Sequence, residues 1–114
     1  MITRIKNLLG IAQRGGFIIS GSNLILREVA RGKNKGLVLI AADAQTPTGD
    51  DLVATCRGKG HRVITIPVSK IELGLAIGKS QRGYVMIQDK GIARRIIALL
   101  EEMEESAHDE DENL

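Results

Sequence analysis

Apolar positions recur along this chain in two alternating rhythms. Ile5, Leu8, Leu9 and Ala12 fall at helical spacing before Gly15-Gly16 interrupts them, which predicts an amphipathic first helix. Phe17-Ile18-Ile19 reads as a short strand. Ser20-Gly21-Ser22-Asn23 then supplies capping residues for a second helix, whose apolar side holds Ile25, Leu26, Val29 and Ala30 before Gly32. The unbroken run Leu37-Val38-Leu39-Ile40-Ala41 has the length and branching of a strand covered on both faces. Thr46-Pro47 opens a third helix, with Asp50 and Asp51 near the positive end of its dipole and Gly58 and Gly60 at its end.

The second half repeats the alternation. Val63-Ile64-Thr65-Ile66 is a strand that Pro67 stops. Ser69-Lys70-Ile71-Glu72 has the spacing of a capping box, so a fourth helix begins there and ends near Gly78. Tyr84-Val85-Met86-Ile87 is the last strand, and Asp89 caps a final helix with the stripe Ile92, Ile96, Leu99 and Met103. Helices that alternate with strands imply crossover connections, so the expected fold is a three-layer α/β/α sandwich with a mixed, mostly parallel four-stranded sheet. Residues 1–103 suit one domain. Residues 104–114 are acidic and poor in apolar side chains after Ser106, which predicts a disordered tail.

Charge sharpens the picture. All 16 Lys and Arg residues precede position 101, while eight of the 14 acids lie in residues 101–114. The first hundred residues thus set 16 bases against six acids, a net +10 hidden inside an overall +2. Such an excess attracts polyanions and releases condensed counterions when phosphates are contacted, making nucleic acid the leading partner class. No apolar run reaches the roughly 20 residues of a membrane span, and Met1-Ile2-Thr3-Arg4-Ile5-Lys6 lacks the layout of a signal peptide. A cytoplasmic protein with no membrane partner, monomeric when free, is expected.

The second helix carries the densest chemistry. Asn23, Arg27 and Arg31 are spaced by four and share one stripe. Ahead of them Ser20, Gly21 and Ser22 leave backbone donors open at a helix start, where a phosphate gains both hydrogen bonds and the dipole. Asparagine can read a base edge, and arginine can clamp a phosphate or a guanine bidentately. The loop Gly78-Lys79-Ser80-Gln81-Arg82-Gly83 is a second cationic segment, with Lys79, Ser80, Gln81 and Arg82 as its candidate contacts.

Other chemistries find little purchase. Gly78-Lys79-Ser80 resembles part of a P-loop, but Leu73 occupies the position where that motif needs its first glycine. The two histidines, His61 and His108, join no nucleophile or metal-ligand pattern, so neither catalysis nor a cofactor or metal is expected. Cys56 suits a small core residue and Asp43 a turn. Phe17 and Tyr84 are the only aromatics, too few for a stacking platform. RNA would be recognised by shape, phosphates and base edges.

Gly21-Ser22-Asn23…Arg27, Leu37–Ala44 and Ser69–Gly78, taken with the order of elements, resemble the L7Ae/L30e ribosomal protein family over roughly residues 3 to 100. The resemblance implies an α/β/α sandwich that binds kink-turn or ribosomal RNA, and so the ribosome, through the start of the second helix and the loop after the fourth. The family's G-x-N-E-x-x-K pattern falls on Gly21, Asn23 and Arg27, the last an arginine in place of lysine. Leu24 stands where the family carries an acid, and Ala42 replaces another acid common in the family. By this likeness Asn23 reads base edges and Arg27 holds the backbone. The alternative is a protein-interaction or regulatory module on the same sandwich, with the acidic tail docking a basic partner; a third reading has the tail fold over the basic face and compete with RNA.

Overall fold

The computed structural model describes residues 1–32, 35–44 and 47–112, with side chains described except at 47, 48 and 106–112. Five helices and four strands follow in the order α1 (Ile2–Arg14), β1 (Ile18–Ser20), α2 (Ser22–Arg31), β2 (Leu37–Ala41), α3 (Pro47–Gly58), β3 (Arg62–Ile66), α4 (Lys70–Ala76), β4 (Tyr84–Ile87) and α5 (Lys90–Glu112). Thr46, expected with Pro47 to open α3, lies outside the described residues. Ile5, Leu8, Leu9 and Ala12 are the buried residues of α1, the four that its periodicity singles out. Each large one contributes about 1.5–3 kcal/mol by leaving water. On α2, Ile25 and Val29 are buried and Leu26 partly so, but Ala30 is exposed because it sits at the edge of the apolar stripe.

All five residues of β2 are buried, as a strand needs when helices cover both faces. The helices fall into two groups in mutual contact, α2 with α3 and α1 with α4 and α5, giving the three layers. Cys56 of α3 belongs to the core, and burial pushes its thiol pKa up, so it is held as the unreactive thiol. No helix among the described residues is long and apolar enough to cross a membrane.

The sheet is mixed, in the order β1-β4-β2-β3, but it is not mostly parallel: β2 pairs β3 in parallel, whereas β4 is antiparallel to both β1 and β2. Strands β1, β2 and β3 all run one way, as the alternation of elements implies. The reversed strand follows from α4, whose seven residues span only about 10 Å at a rise of about 1.5 Å per residue. The loop that follows folds back along it instead of crossing to the far end of the sheet. After the loop at 77–83, β4 therefore enters at the end where β3 left: Gly83 accepts a hydrogen bond from the Ala41 amide, and Tyr84 is registered with Ile40.

At the other terminus α5 continues as helix to Glu112, through a stretch for which composition predicts disorder. Glu, Met and Ala are good helix formers, and a helix already nucleated by packing at Ile96 propagates at little cost. Among the described side chains, Met103 is the last packed against the core.

Candidate nucleic-acid interface

The start of α2 is shaped by one glycine. Gly21 caps the helix with φ 93° and ψ 143°, a conformation that side-chain-bearing residues avoid, and its amide donates to the Tyr84 carbonyl at 3.0 Å. The helix entry is thereby fastened to the first residue of β4. Ser22 is the first helical residue, and no described side chain caps this terminus, which leaves its first amides open. Asn23 and Arg27 are exposed, and their side chains have no hydrogen-bond or ion-pair partner among the described residues.

The loop after α4 comes to the same place. Lys79 donates its amide to the Gly74 carbonyl at 2.9 Å, and the Arg82 amide donates to the Lys70 carbonyl at 3.0 Å, so the loop folds back along α4. Only glycine at position 74 permits this, because a methyl group there would collide with the Ser80 carbonyl. Gly78 supplies the turn with φ 69°. The fourth helix is fixed in turn by its full capping box, with Ser69 Oγ accepting from the Glu72 amide at 3.1 Å. Asp43 Oδ1 accepts from the Lys70 amide at 2.8 Å, an anchoring role in keeping with its turn position. Lys6 Nζ meets Glu72 at 2.9 Å, and that hydrogen bond holds the Glu72 carboxyl below its ordinary pKa.

Arg82 joins the two segments. Its Nε donates to Ser20 Oγ at 3.2 Å, while the guanidinium also donates to Ser80 Oγ at 2.9 Å and to the Gln81 carbonyl at 2.9 Å. Residues some 60 positions apart are thus stapled together. Arg82 is half-buried in this clamp, so it positions the neighbouring groups more than it offers charge outward. Lys79, Ser80 and Gln81 remain exposed.

Beside the clamp lies an open groove of about 420 Å³ whose lining includes Ser20, Leu24, Arg27, Glu28, Arg31 and Lys79. Three cations from two segments face it. Glu28 is the one acid in its lining, 4.0 Å from Arg31 on the same helix. Asn23 stands just outside, at the helix entry. The sequence pattern missed two contributors: Leu24, 52% exposed within the groove, and Gln13 from the end of α1. An unpaired leucine on a polar stripe was a visible signal for the first. Nothing local marks the second, which arrives only through the packing of α1.

Taken together, residues 20–23 and the 79–82 loop gather where β1 ends, while Arg27 and Arg31 follow along α2 as it runs back toward the start of β2. Open amides, an amide side chain, guanidinium groups and an ammonium are offered there with little acidic compensation, an arrangement suited to phosphates and base edges.

Known proteins share this framework. The model of the ribosomal protein L7Ae/L30e/S12e/Gadd45 family matches residues 3–97. RNA-binding protein YlxQ of Bacillus subtilis (strain 168) is 34% identical over 98 residues, which cover 82% of this chain and 92% of that protein. Among solved structures, a protein of unknown function from Bacillus halodurans superposes with a TM-score of 0.76 at 29% identity, covering 85% of this chain and 96% of the other. The Giardia lamblia 15.5kD RNA binding protein superposes with a TM-score of 0.67 at 30% identity, covering 84% of this chain and 83% of its own. With its five helices and its mixed sheet in the arrangement of these relatives, the chain belongs to the ribosomal protein L7Ae/L30e/S12e/Gadd45 family.

Proposed function

We propose that this protein binds structured RNA without catalysing a reaction, and that its target is a kink-turn or ribosomal RNA held by the entry of α2 and the loop after α4. Family membership, the relative named as an RNA-binding protein and the +10 charge of the first hundred residues support RNA as the ligand. The observation that carries the site is the Arg82 clamp, which brings Ser20 and the 79–82 loop together beside the exposed, unpartnered Asn23 and Arg27. In this reading Asn23 reads a base edge, Arg27, Arg31 and Lys79 neutralise phosphates, and the open amides at the start of α2 donate to one more.

The test is a binding titration of wild type and Asn23→Ala on a kink-turn and on a plain RNA duplex. Base-edge contacts discriminate and phosphate contacts do not, so the substitution should weaken kink-turn binding by about 1–3 kcal/mol and duplex binding far less. Equal losses on both RNAs would remove the base-reading role. A protein-docking reading draws on Ile71 and Leu75, 62% and 70% exposed one turn apart on α4. Partners that survive nuclease treatment but are lost from Ile71→Glu would favour it.

A further inference from the structure

The opposite end of the sheet carries a second concentration of positive charge that the α2 interface does not use. There, at the starts of β2 and β3 and the end of β4, a narrow cleft of about 140 Å³ is lined by Lys35, Arg62, Lys90 and Arg94. The four come from three separate elements: the loop before β2, the first residue of β3 and the first turns of α5. His61 explains how the loop is placed. This buried side chain accepts a hydrogen bond at Nδ1 from the Gly36 amide at 3.0 Å, tying the segment that carries Lys35 to the start of β3 beside Arg62.

Compensation is slight. Asp89 lines the cleft, but its carboxylate accepts from the Ile92 amide at 2.8 Å as the cap of α5. Glu101 lies 3.9 Å from Arg62, with both side chains about 60% exposed, a pair that contributes little in water. Four basic residues from three elements border this one cleft, and like charges gathered around it raise the local positive potential and favour an anion.

We infer that this cleft is a second RNA-binding surface, gripping the phosphodiester backbone without reading sequence, so that one protein can hold two RNA segments at opposite ends of its sheet. The identity of the ligand rests on the RNA-binding reading given above; the site itself rests on the geometry of the cleft. Register separates the two ends. Leu37 is paired with Arg62 and with Ile87 at the cleft, whereas Ala41, Tyr84 and Gly21 mark the α2 interface. Strands of four to five residues at about 3.3 Å each set them roughly 15 Å apart, enough for separate RNA backbones to be engaged.

The experiment compares wild type with the combined Arg62→Gln, Lys90→Gln, Arg94→Gln protein on a plain RNA duplex over a range of salt concentrations. If each side chain neutralises one phosphate, the log–log slope should fall in magnitude by about 2.7, at about 0.9 per contact on a duplex. An unchanged slope would overturn the proposal. Arg62→Lys with Arg94→Lys should keep the wild-type slope, because a point charge suffices for backbone contact; loss of binding in that charge-conserving variant would also overturn it. In a native gel, wild type should form a complex holding one kink-turn RNA and one duplex, and the triple variant should not. Displacement of one RNA by the other in wild type would show a single shared site. Should wild type show no preference for a kink-turn, the reading of α2 fails, while duplex binding that depends on Arg62, Lys90 and Arg94 still establishes the cleft.

Discussion

Gly21 and Gly58 show how differently two glycines can matter. At Gly21 the positive φ is required, and although a Cβ would find open space, the backbone itself would be strained. Gly21→Ala should destabilise the protein by about 1–3 kcal/mol and weaken RNA binding with it, as thermal melting and titration would show. Gly58 ends α3 with no positive φ and nothing within reach of a Cβ, so Gly58→Ala should be neutral or stabilising by up to about 1 kcal/mol. A matching loss at both positions would mean that backbone freedom at Gly21 is not what shapes the helix entry. Glu72 gives a pH-dependent counterpart. Its folded pKa is lowered, chiefly by the hydrogen bond from Lys6, so its stabilising contribution is present above the unfolded carboxylate pKa and is lost as pH falls through the folded value. The stability difference between wild type and Glu72→Gln, which keeps a capping-box acceptor, should therefore narrow on acidification; a constant difference across that range would show that ionisation is irrelevant there.

Among the elements, α4 and its loop form the unit on which the interface depends. Gly74→Ala would drive a methyl group into the Ser80 carbonyl, so it should cost about 1–3 kcal/mol and loosen residues 79–82, visible as faster amide exchange there and at Gly21. Exchange that stays slow in both segments would mean the loop is held independently of α4. Most of these elements were legible in the chain. The capping box at Ser69 and Glu72, the stripe of α1 and the buried run of β2 are local patterns, and local patterns survive folding. The direction of β4 was not legible, because alternation of helix and strand records that a crossover exists and not which end of the sheet it reaches. The inward turn of Arg82 was equally hidden: a guanidinium in a glycine-flanked loop reads as free charge until its partner Ser20, far away in sequence, is brought beside it. Helix at 106–112 ran against composition, since a segment too polar to fold alone can still extend a helix that neighbouring turns hold in place.

Seen whole, the molecule separates its charges along its length. The basic body ends where α5 passes Leu100, and the acids follow on the same helix, so a polyanion approaching the α2 interface or the opposite cleft meets attraction from the body and repulsion from the helix end. Because Met103 is the last of the described side chains in core contact, a chain ending there should fold with an unchanged thermal midpoint. The same truncation should bind RNA several-fold more tightly at low salt, with the gain fading as the Debye length falls to about 8 Å near physiological ionic strength. Unaltered affinity at low salt would show that the acidic end plays no part in the encounter.

The insertion of β4 between β1 and β2 has a consequence in time as well as space. Until residues 84–87 have been synthesised, the growing polypeptide has a gap between β1 and β2, and the carbonyl that fastens Gly21 does not exist. A newborn chain lacking this last ribbon already carries most of its basic residues but not the fastened α2 entry, so the start of that helix is set only once β4 has been made.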